Sequence, residues 1–369
     1  MPAPDPPVPR GDLESLIAAE IRRTGPISIA RFMSLALGHP ELGYYRRRDP
    51  FGAAGDFTSA PEISQMFGEV IGLWLAQAWL ELGSPAPVRL VELGPGRGTM
   101  MSDLLRALRG VPGLSACLEV HLVETSPKLE ALQRQRLHGM PASWHARLDE
   151  VPTGPLLLVA NEFLDALPVH QLVMTGRGWV ERGVGLAPDG ALAFVLGAEP
   201  SPLAEGLADA APGTVTEVSP ARAETASAIG QRVAEDGGAA LLVDYGAWAS
   251  GPTGDTLQAV CRQAPCDPLE TPGEVDVSSH VDFRPLAEAA TAAGAAVFGP
   301  VPQGTFLRAL GIEARAARLL ASADAEQAHA IRSALFRLTD ASAMGELFKV
   351  LALSGHNAPP PPGFTREVA

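Results

Sequence analysis

The segment VELGPGRGT at residues 91–99 constrains the fold more than any other part of the chain. It leads from a short apolar strand, VRLVEL (88–93), into a turn carrying Gly94, Gly96 and Gly98, with a helix expected from about Met101 to Leu108. Glycine suits a place where the backbone bends sharply and a ligand approaches with no Cβ in the way. Further strand–helix units follow. LEVHLVE (118–124) precedes a helix over Pro127–Leu137, the nearly all-apolar LLLVAN covers 156–161, and a helical stretch at 220–235 precedes ALLVDYG (240–246). Beyond these come a helix near 284–293, a strand near 295–298, two Ala/Arg-rich helices within 311–338 and a last apolar run, FKVLAL (348–353). Continuous apolar strands suit a parallel sheet covered on both faces. The pattern predicts an α/β fold with a doubly wound sheet and right-handed crossovers.

Two details select the ligand of the glycine turn. A dinucleotide fingerprint, G-x-G-x-x-G, needs its third glycine at position 99, which is Thr99. Glu92, just before the glycines, would repel a pyrophosphate but favours a sulfonium or an α-ammonium group. An acid followed by G-x-G-x-G is the S-adenosylmethionine (SAM) pattern of Rossmann-like methyltransferases. The second strand ends at Glu124, where a carboxylate can accept from both ribose hydroxyls. Asp149, after the short segment SWHARL, is a candidate for the adenine amine, or simply a solvated loop acid. The third strand ends in NEFLDALP (161–168), which sets Asn161, Glu162 and Asp165 at the carboxyl end of a central strand, where such folds place their chemistry. Carboxylates there could hold a guanidinium through charge-assisted hydrogen bonds, and Glu162 leads, since Asp165 could equally cap a helix.

Composition narrows the partners. Forty-two acidic against 28 basic residues give a net charge of −14, and a surface that negative repels nucleic acid and anionic lipid. Only Arg46-Arg47-Arg48 forms a basic run, and the Asn-Pro-Pro-Tyr signature of base and amide methylation is lacking at the third strand. Of the basic residues only Lys128 and Lys349 are lysine, which reads as the codon bias of a GC-rich genome. Cys117, Cys261 and Cys266 form no CxxC pair, so no disulfide framework or metal site is expected. The start, MPAPDPPVPR, has no signal-peptide pattern, and no apolar stretch approaches the roughly 18 residues of a membrane span. These features predict a bacterial cytoplasmic protein.

Several blocks carry a wider likeness. GYYRRRDPFGAAGDFTSAPEISQMFGEVIGLW, VELGPGRGT, NEFLDALPVHQ, LLVDYG, DTLQAVCRQ, PGEVDVSSHVDF and MGELFKVLAL, in this order from about 28 to 353, resemble the MidA-like family, which comprises a mitochondrial complex I assembly-factor methyltransferase and its bacterial relatives. The resemblance implies a SAM-dependent enzyme that symmetrically dimethylates arginine in a protein, with a subunit of respiratory complex I as the partner. It also implies that Gly55, Asp56 and Phe57 close over the cofactor, that Gly94, Gly96 and Gly98 cradle its methionine part, and that Glu124 holds its ribose. The expected organisation is a tail over 1–10, a helical lid section over 11–83, a methyltransferase core over 84–355 with a hairpin insertion at about 170–215 and a helical insertion at about 304–340, and a tail over 356–369.

Methyl transfer to arginine needs positioning and the removal of a proton from a group that is protonated in water. Asp56, Glu62, Glu162 and Asp165 are candidate carboxylates, and His280 is a candidate base or orienter, or a structural histidine. Tyr44 and Tyr45 could wall the pocket or simply pack. The two-glutamate hairpin of better-known arginine methyltransferases is lacking. Three other readings stay open: an assembly chaperone with a vestigial SAM site, a small-molecule methyltransferase, and an NAD-dependent dehydrogenase, against which Thr99 and Glu92 speak.

Overall fold

The computed structural model describes residues 13–47, 58–261, 264–356 and 358–364. Contacts divide the chain into two units: Met1–Pro50, Leu167–Ser219 and Pro252–Ser279 in one, and Phe51–Ala166, Pro220–Gly251 and His280–Ala369 in the other.

The larger unit is built on one sheet. Its principal strands are β1 (Val88–Leu93), β2 (Leu118–Val123), β3 (Ala142–His145), β4 (Leu156–Asn161), β5 (Gly238–Ala247), β6 (Ala296–Pro302) and β7 (Phe348–Ser354). They lie in the order β6-β7-β5-β4-β1-β2-β3. Strands β1 to β5 are mutually parallel, with Leu90 opposite Leu157 and Val243 opposite Asn161. Every residue of β4 is buried, as its unbroken apolar run predicts for a strand with helices on both faces. Each such leucine contributes about 1.5–3 kcal/mol relative to exposure.

Five helices matter to the site: α1 (Gln65–Glu81), α2 (Thr99–Leu108), α3 (Pro127–Arg136), α4 (Pro220–Glu235) and α5 (Phe283–Ala292). Ser64 caps α1 by accepting from the Met66 N–H, and Ser126 caps α3 by accepting from the Leu129 N–H. Helix α1 is apolar nearly all round. Met66, Phe67, Val70, Ile71, Trp74, Leu75 and Ala78 are all buried in the main core together with Leu104 of α2 and Leu157 of β4.

The expected fold class holds, with one difference of direction. β7 lies antiparallel between β5 and β6, whereas uniform β–α repetition predicts a parallel strand. An apolar run reads alike in both directions, so periodicity carries no sign for it. Short elements also punctuate the Gly- and Pro-rich chain of 43–64, the helical turns Tyr44–Arg47 and Ala60–Ile63.

The smaller unit holds helices Leu13–Thr24 and Ile29–Gly38 and an antiparallel sheet of Ile27–Ser28, Gly178–Leu186, His170–Thr175 and Val215–Val218, with Leu192–Pro200 paired to Gly178–Leu186. Turns at Gly176–Gly178 and Pro188–Gly190 make the expected hairpins. Leu172, Met174 and Trp179 form a small core there. Contacts group α1 with the large sheet and 252–279 with the hairpins, so the division differs from the expected boundary at 83/84 and from a lone 170–215 insertion.

Candidate active site at the carboxyl edge of the sheet

The chain leaves β1 toward β2 on one side and returns to β4 on the other, so the carboxyl ends of β1 and β4 diverge around a crevice, the usual ligand position in such sheets. Its floor is the glycine turn. Gly94, Gly96 and Gly98 have φ of 61°, 53° and 75°, a left-handed region closed in practice to most side chains. A Cβ on Gly94 would also stand 2.8 Å from the Phe163 ring. Gly98 then begins α2 with no side chain of its own to cap the helix.

Ser59, Glu62, Glu92, Gly96, Asn161 and Glu162 are among the residues lining a single pocket here. Glu92 is 2% exposed, and its Oε2 has no hydrogen-bond partner. Burial, with a contribution from the Glu124 charge, pushes its carboxyl up to about 8, against the pull of a hydrogen bond from the Met101 backbone. Asn161 is also buried, and its Oδ1 is likewise unpartnered. Both residues line the same pocket, and a cationic amine bound there would satisfy the two unpartnered acceptors and restore the charge on Glu92.

Glu162 adopts φ 51°, costing about 1–2 kcal/mol for a residue with a side chain. This turns its carboxylate so that Oε1 accepts from the Ala60 N–H (2.9 Å) and the Asn161 Nδ2 (3.1 Å). Burial raises it to about 7; the Ala60 hydrogen bond opposes this and the Asp165 charge adds to it. Glu62 accepts from the Thr99 hydroxyl and lies 3.8 Å from the Arg97 guanidinium, tying the Ala60–Ile63 turn to the glycine turn.

Asp165 is nearly buried, and one of its oxygens, Oδ1, lacks a partner. Burial raises it, while a hydrogen bond from Tyr245 and the Arg222 charge oppose the rise. The loop bearing it is gripped from two sides. Asp244, fully buried at the end of β5, accepts from the Leu164 and Asp165 N–H groups at 2.9 and 3.1 Å. Buried Arg222 of α4 donates to the carbonyls of Leu164 (2.7 Å), Asp165 (3.1 Å) and His280 (2.8 Å). Asp244 is pushed well above the carboxylate range by burial and by Asp165. The His280 ring meets Tyr245 edge to face at 5.3 Å, which puts it beside the residue that bonds Asp165.

Glu124 stands where its strand predicts, with Oε1 accepting from the Ser126 N–H at 2.7 Å and Oε2 from the Gln133 Nε2 at 3.0 Å. Asp149 is an exposed acid in the turn after β3. It pairs with Arg147 at 2.7 Å, and that hydrogen bond lowers its pKa. Tyr44 is fully buried within the smaller unit, and the Tyr45 hydroxyl donates to Asp276 there. Gly55, Asp56 and Phe57 lie outside the described residues. Asp244, Arg222 and Gln133 were not foreseen. An acid closing the apolar strand LLVDYG is a readable signal for Asp244; a lone Gln or Arg on a helix gives none. Among the described residues no cluster of His, Cys, Asp and Glu could hold a metal ion.

A family model of S-adenosyl-L-methionine-dependent methyltransferases matches residues 70–301. A Drosophila melanogaster protein named protein arginine methyltransferase NDUFAF7 homolog, mitochondrial, is 39% identical over 374 residues, covering 93% of this chain and 85% of the relative. The Homo sapiens protein arginine methyltransferase NDUFAF7, mitochondrial, is 36% identical over 367 residues, covering 91% and 82%. The crystal structure of a COG1565 superfamily member from Burkholderia thailandensis, bound to S-adenosylhomocysteine, superposes with a TM-score of 0.82 at 33% identity, covering 93% of this chain and 91% of that one.

Proposed function

This chain belongs to a family of S-adenosyl-L-methionine-dependent methyltransferases, and on that premise we propose that it symmetrically dimethylates an arginine of a protein substrate, a subunit of respiratory complex I (NADH–quinone oxidoreductase) or another protein. The observation that carries this reading is one pocket in which the glycine turn and the orphaned Glu92 meet Glu162. The names of the relatives support arginine as the acceptor. No described helix is long and apolar enough to cross a membrane. The lysine-poor composition supports a bacterial cytoplasm for this chain, whereas the relatives named above are mitochondrial.

When bound, SAM supplies a methyl group on a sulfonium, which needs no metal to be transferred. Glu92 Oε2 and Asn161 Oδ1 take its α-ammonium, the glycine turn lets its methionine part approach the backbone, and Glu124 accepts from the ribose hydroxyls. Gly55, Asp56 and Phe57 keep their proposed covering role from the family likeness. Asp149, paired with Arg147, is the proposed partner of the adenine amine.

The acceptor side follows from the carboxylates. A guanidinium is protonated with its lone pairs delocalised, so an attacking nitrogen needs a group that takes its proton as the N–C bond forms. Glu162, poised near neutrality, accepts that proton, while Asp165, oriented by Tyr245, Arg222 and Asp244, draws positive charge toward the other nitrogens. His280 acts on this pair through Tyr245. The proton leaves Glu162 for solvent, and the methylated guanidinium keeps its charge.

The test is incubation of the purified chain with methyl-labelled SAM and the separated subunits of NADH–quinone oxidoreductase. With subunits taken from a strain lacking the gene, label in symmetric dimethylarginine of one subunit, absent when the purified chain is omitted, is the expected result. Label only in small molecules would move the acceptor, and SAM binding without label in any fraction would favour an assembly factor.

A further inference from the structure

One buried amide ties the two halves of the proposed cofactor site together. Gln133 is one of only two buried residues of α3, and it is 0% exposed. Its Nε2 donates to the Gly96 carbonyl at 2.7 Å and to Glu124 Oε2 at 3.0 Å, and its Oε1 accepts from Trp144 Nε1 at 2.9 Å. The chemistry of the partners fixes the amide orientation, since a carbonyl and a carboxylate can only accept and an indole N–H can only donate. The three partners come from the turn after β1, the end of β2 and strand β3. Trp144 is itself held by the Arg134 guanidinium, 3.9 Å above its ring. The backbone of Gln133 also packs on the turn, because a Cβ at Gly98 would lie 3.4 Å from its Cα.

We infer that Gln133 is a positioning residue for the cofactor, which locks the ribose-binding carboxylate and the glycine turn to each other before the ligand arrives. This rests on the reading that Glu124 holds the ribose. The Gly96 carbonyl bond fixes the plane of the peptide joining Gly96 to Arg97. The Glu124 bond, with the Ser126 N–H on the other oxygen, sets the plane of the carboxylate that the ribose hydroxyls would meet. Holding both in advance removes an ordering cost from binding. An apolar residue of the same length would fill the space equally well, so packing alone does not call for an amide.

The experiment measures S-adenosylhomocysteine affinity on the full chain, beside an analogue lacking the 2′- and 3′-hydroxyls. In the parent, the ratio of the two affinities reports the hydroxyl contacts; a ratio near one would sink the Glu124 reading without touching the clamp. Q133M keeps the length and loses both donors. It is expected to weaken S-adenosylhomocysteine about tenfold or more while the analogue loses clearly less, so that the ratio collapses. Binding within twofold of the parent, or equal losses for both ligands, overturns the inference. Q133E adds a readout that packing does not move. Its carboxyl can donate to Glu124 only when protonated, so its affinity relative to the parent should rise as the pH falls from 8 to 6; taking the ratio cancels the titration of Glu92 common to both proteins. A flat ratio overturns the inference, and this comparison decides the matter if Q133M shows no cooperative melting.

Discussion

Glu69, on helix α1, and Glu92, near the end of β1, are 8% and 2% exposed, yet the fold treats their charges in opposite ways. Glu69 receives Arg315 at 2.7 Å and Arg106 at 3.0 Å. Burial raises its pKa, but the two guanidinium groups outweigh burial and hold it below the usual value. Among the described residues Glu92 gets a single backbone hydrogen bond and no cation, and burial carries it to about 8. A buried acid with its own cations serves the fold. One left without a cation, in a pocket, is a candidate for binding a cation that arrives from outside, the role proposed for Glu92. Glu162 belongs with the second kind.

The largest effect separates chemistry from binding within that second kind. E162Q should lower methyl transfer by about 10²–10⁴-fold, the usual contribution of a general base, while S-adenosylhomocysteine still binds. Wild-type turnover in this variant would remove Glu162 from proton transfer. Next, E92Q and E69Q should diverge. E92Q is expected to weaken S-adenosylhomocysteine about tenfold while leaving the unliganded melting temperature unchanged or higher, since it removes only the cost of keeping a buried carboxyl protonated near neutral pH. E69Q should leave ligand affinity alone and cost about 1–2 kcal/mol in denaturant unfolding, a figure discounted because Arg106 and Arg315 are 43% and 32% exposed. If E92Q melts lower and E69Q does not, the distinction between the two acids fails.

The two acids also have opposite pH signatures. Glu69, lowered on folding, stabilises above the unfolded value near 4.5 and loses this as pH falls through its folded pKa. Glu92, raised on folding, stabilises most below 4.5 and loses this as pH rises toward about 8. Ligand binding at pH 7 should therefore release protons from Glu92, seen as a dependence of calorimetric binding enthalpy on the ionisation enthalpy of the buffer. Proton release unchanged in E92Q would assign it elsewhere. Smallest of all, D149N should shift affinity no more than about threefold, because an acid exposed beside Arg147 competes with water for any partner.

The parallel strands were readable because LLLVAN and ALLVDYG have to be covered on both faces, and the glycine turn because three left-handed residues need glycine. Glu92, Glu124 and Glu162 were legible as acids at strand ends, where a side chain meets the crevice. Their pairing was not. Nothing in a residue name distinguishes Glu69, answered by an arginine 246 residues away, from Glu92, answered by none. The left-handed backbone at Glu162 was equally hidden, because a non-glycine residue adopts it through its surroundings. The two contact units escaped detection because each is assembled from three separated segments.

That interleaving bears on how the chain is made. β5 carries Asp244, yet its partner on one side, β7, begins only at Phe348, so about a hundred residues must be synthesised after β5 before its edge is covered. Until then an apolar strand stands with open backbone groups, a surface prone to wrong pairing. Pairing of the strand whose Asp244 grips the loop of Leu164 and Asp165 is thereby deferred until Phe348–Ser354 has been made.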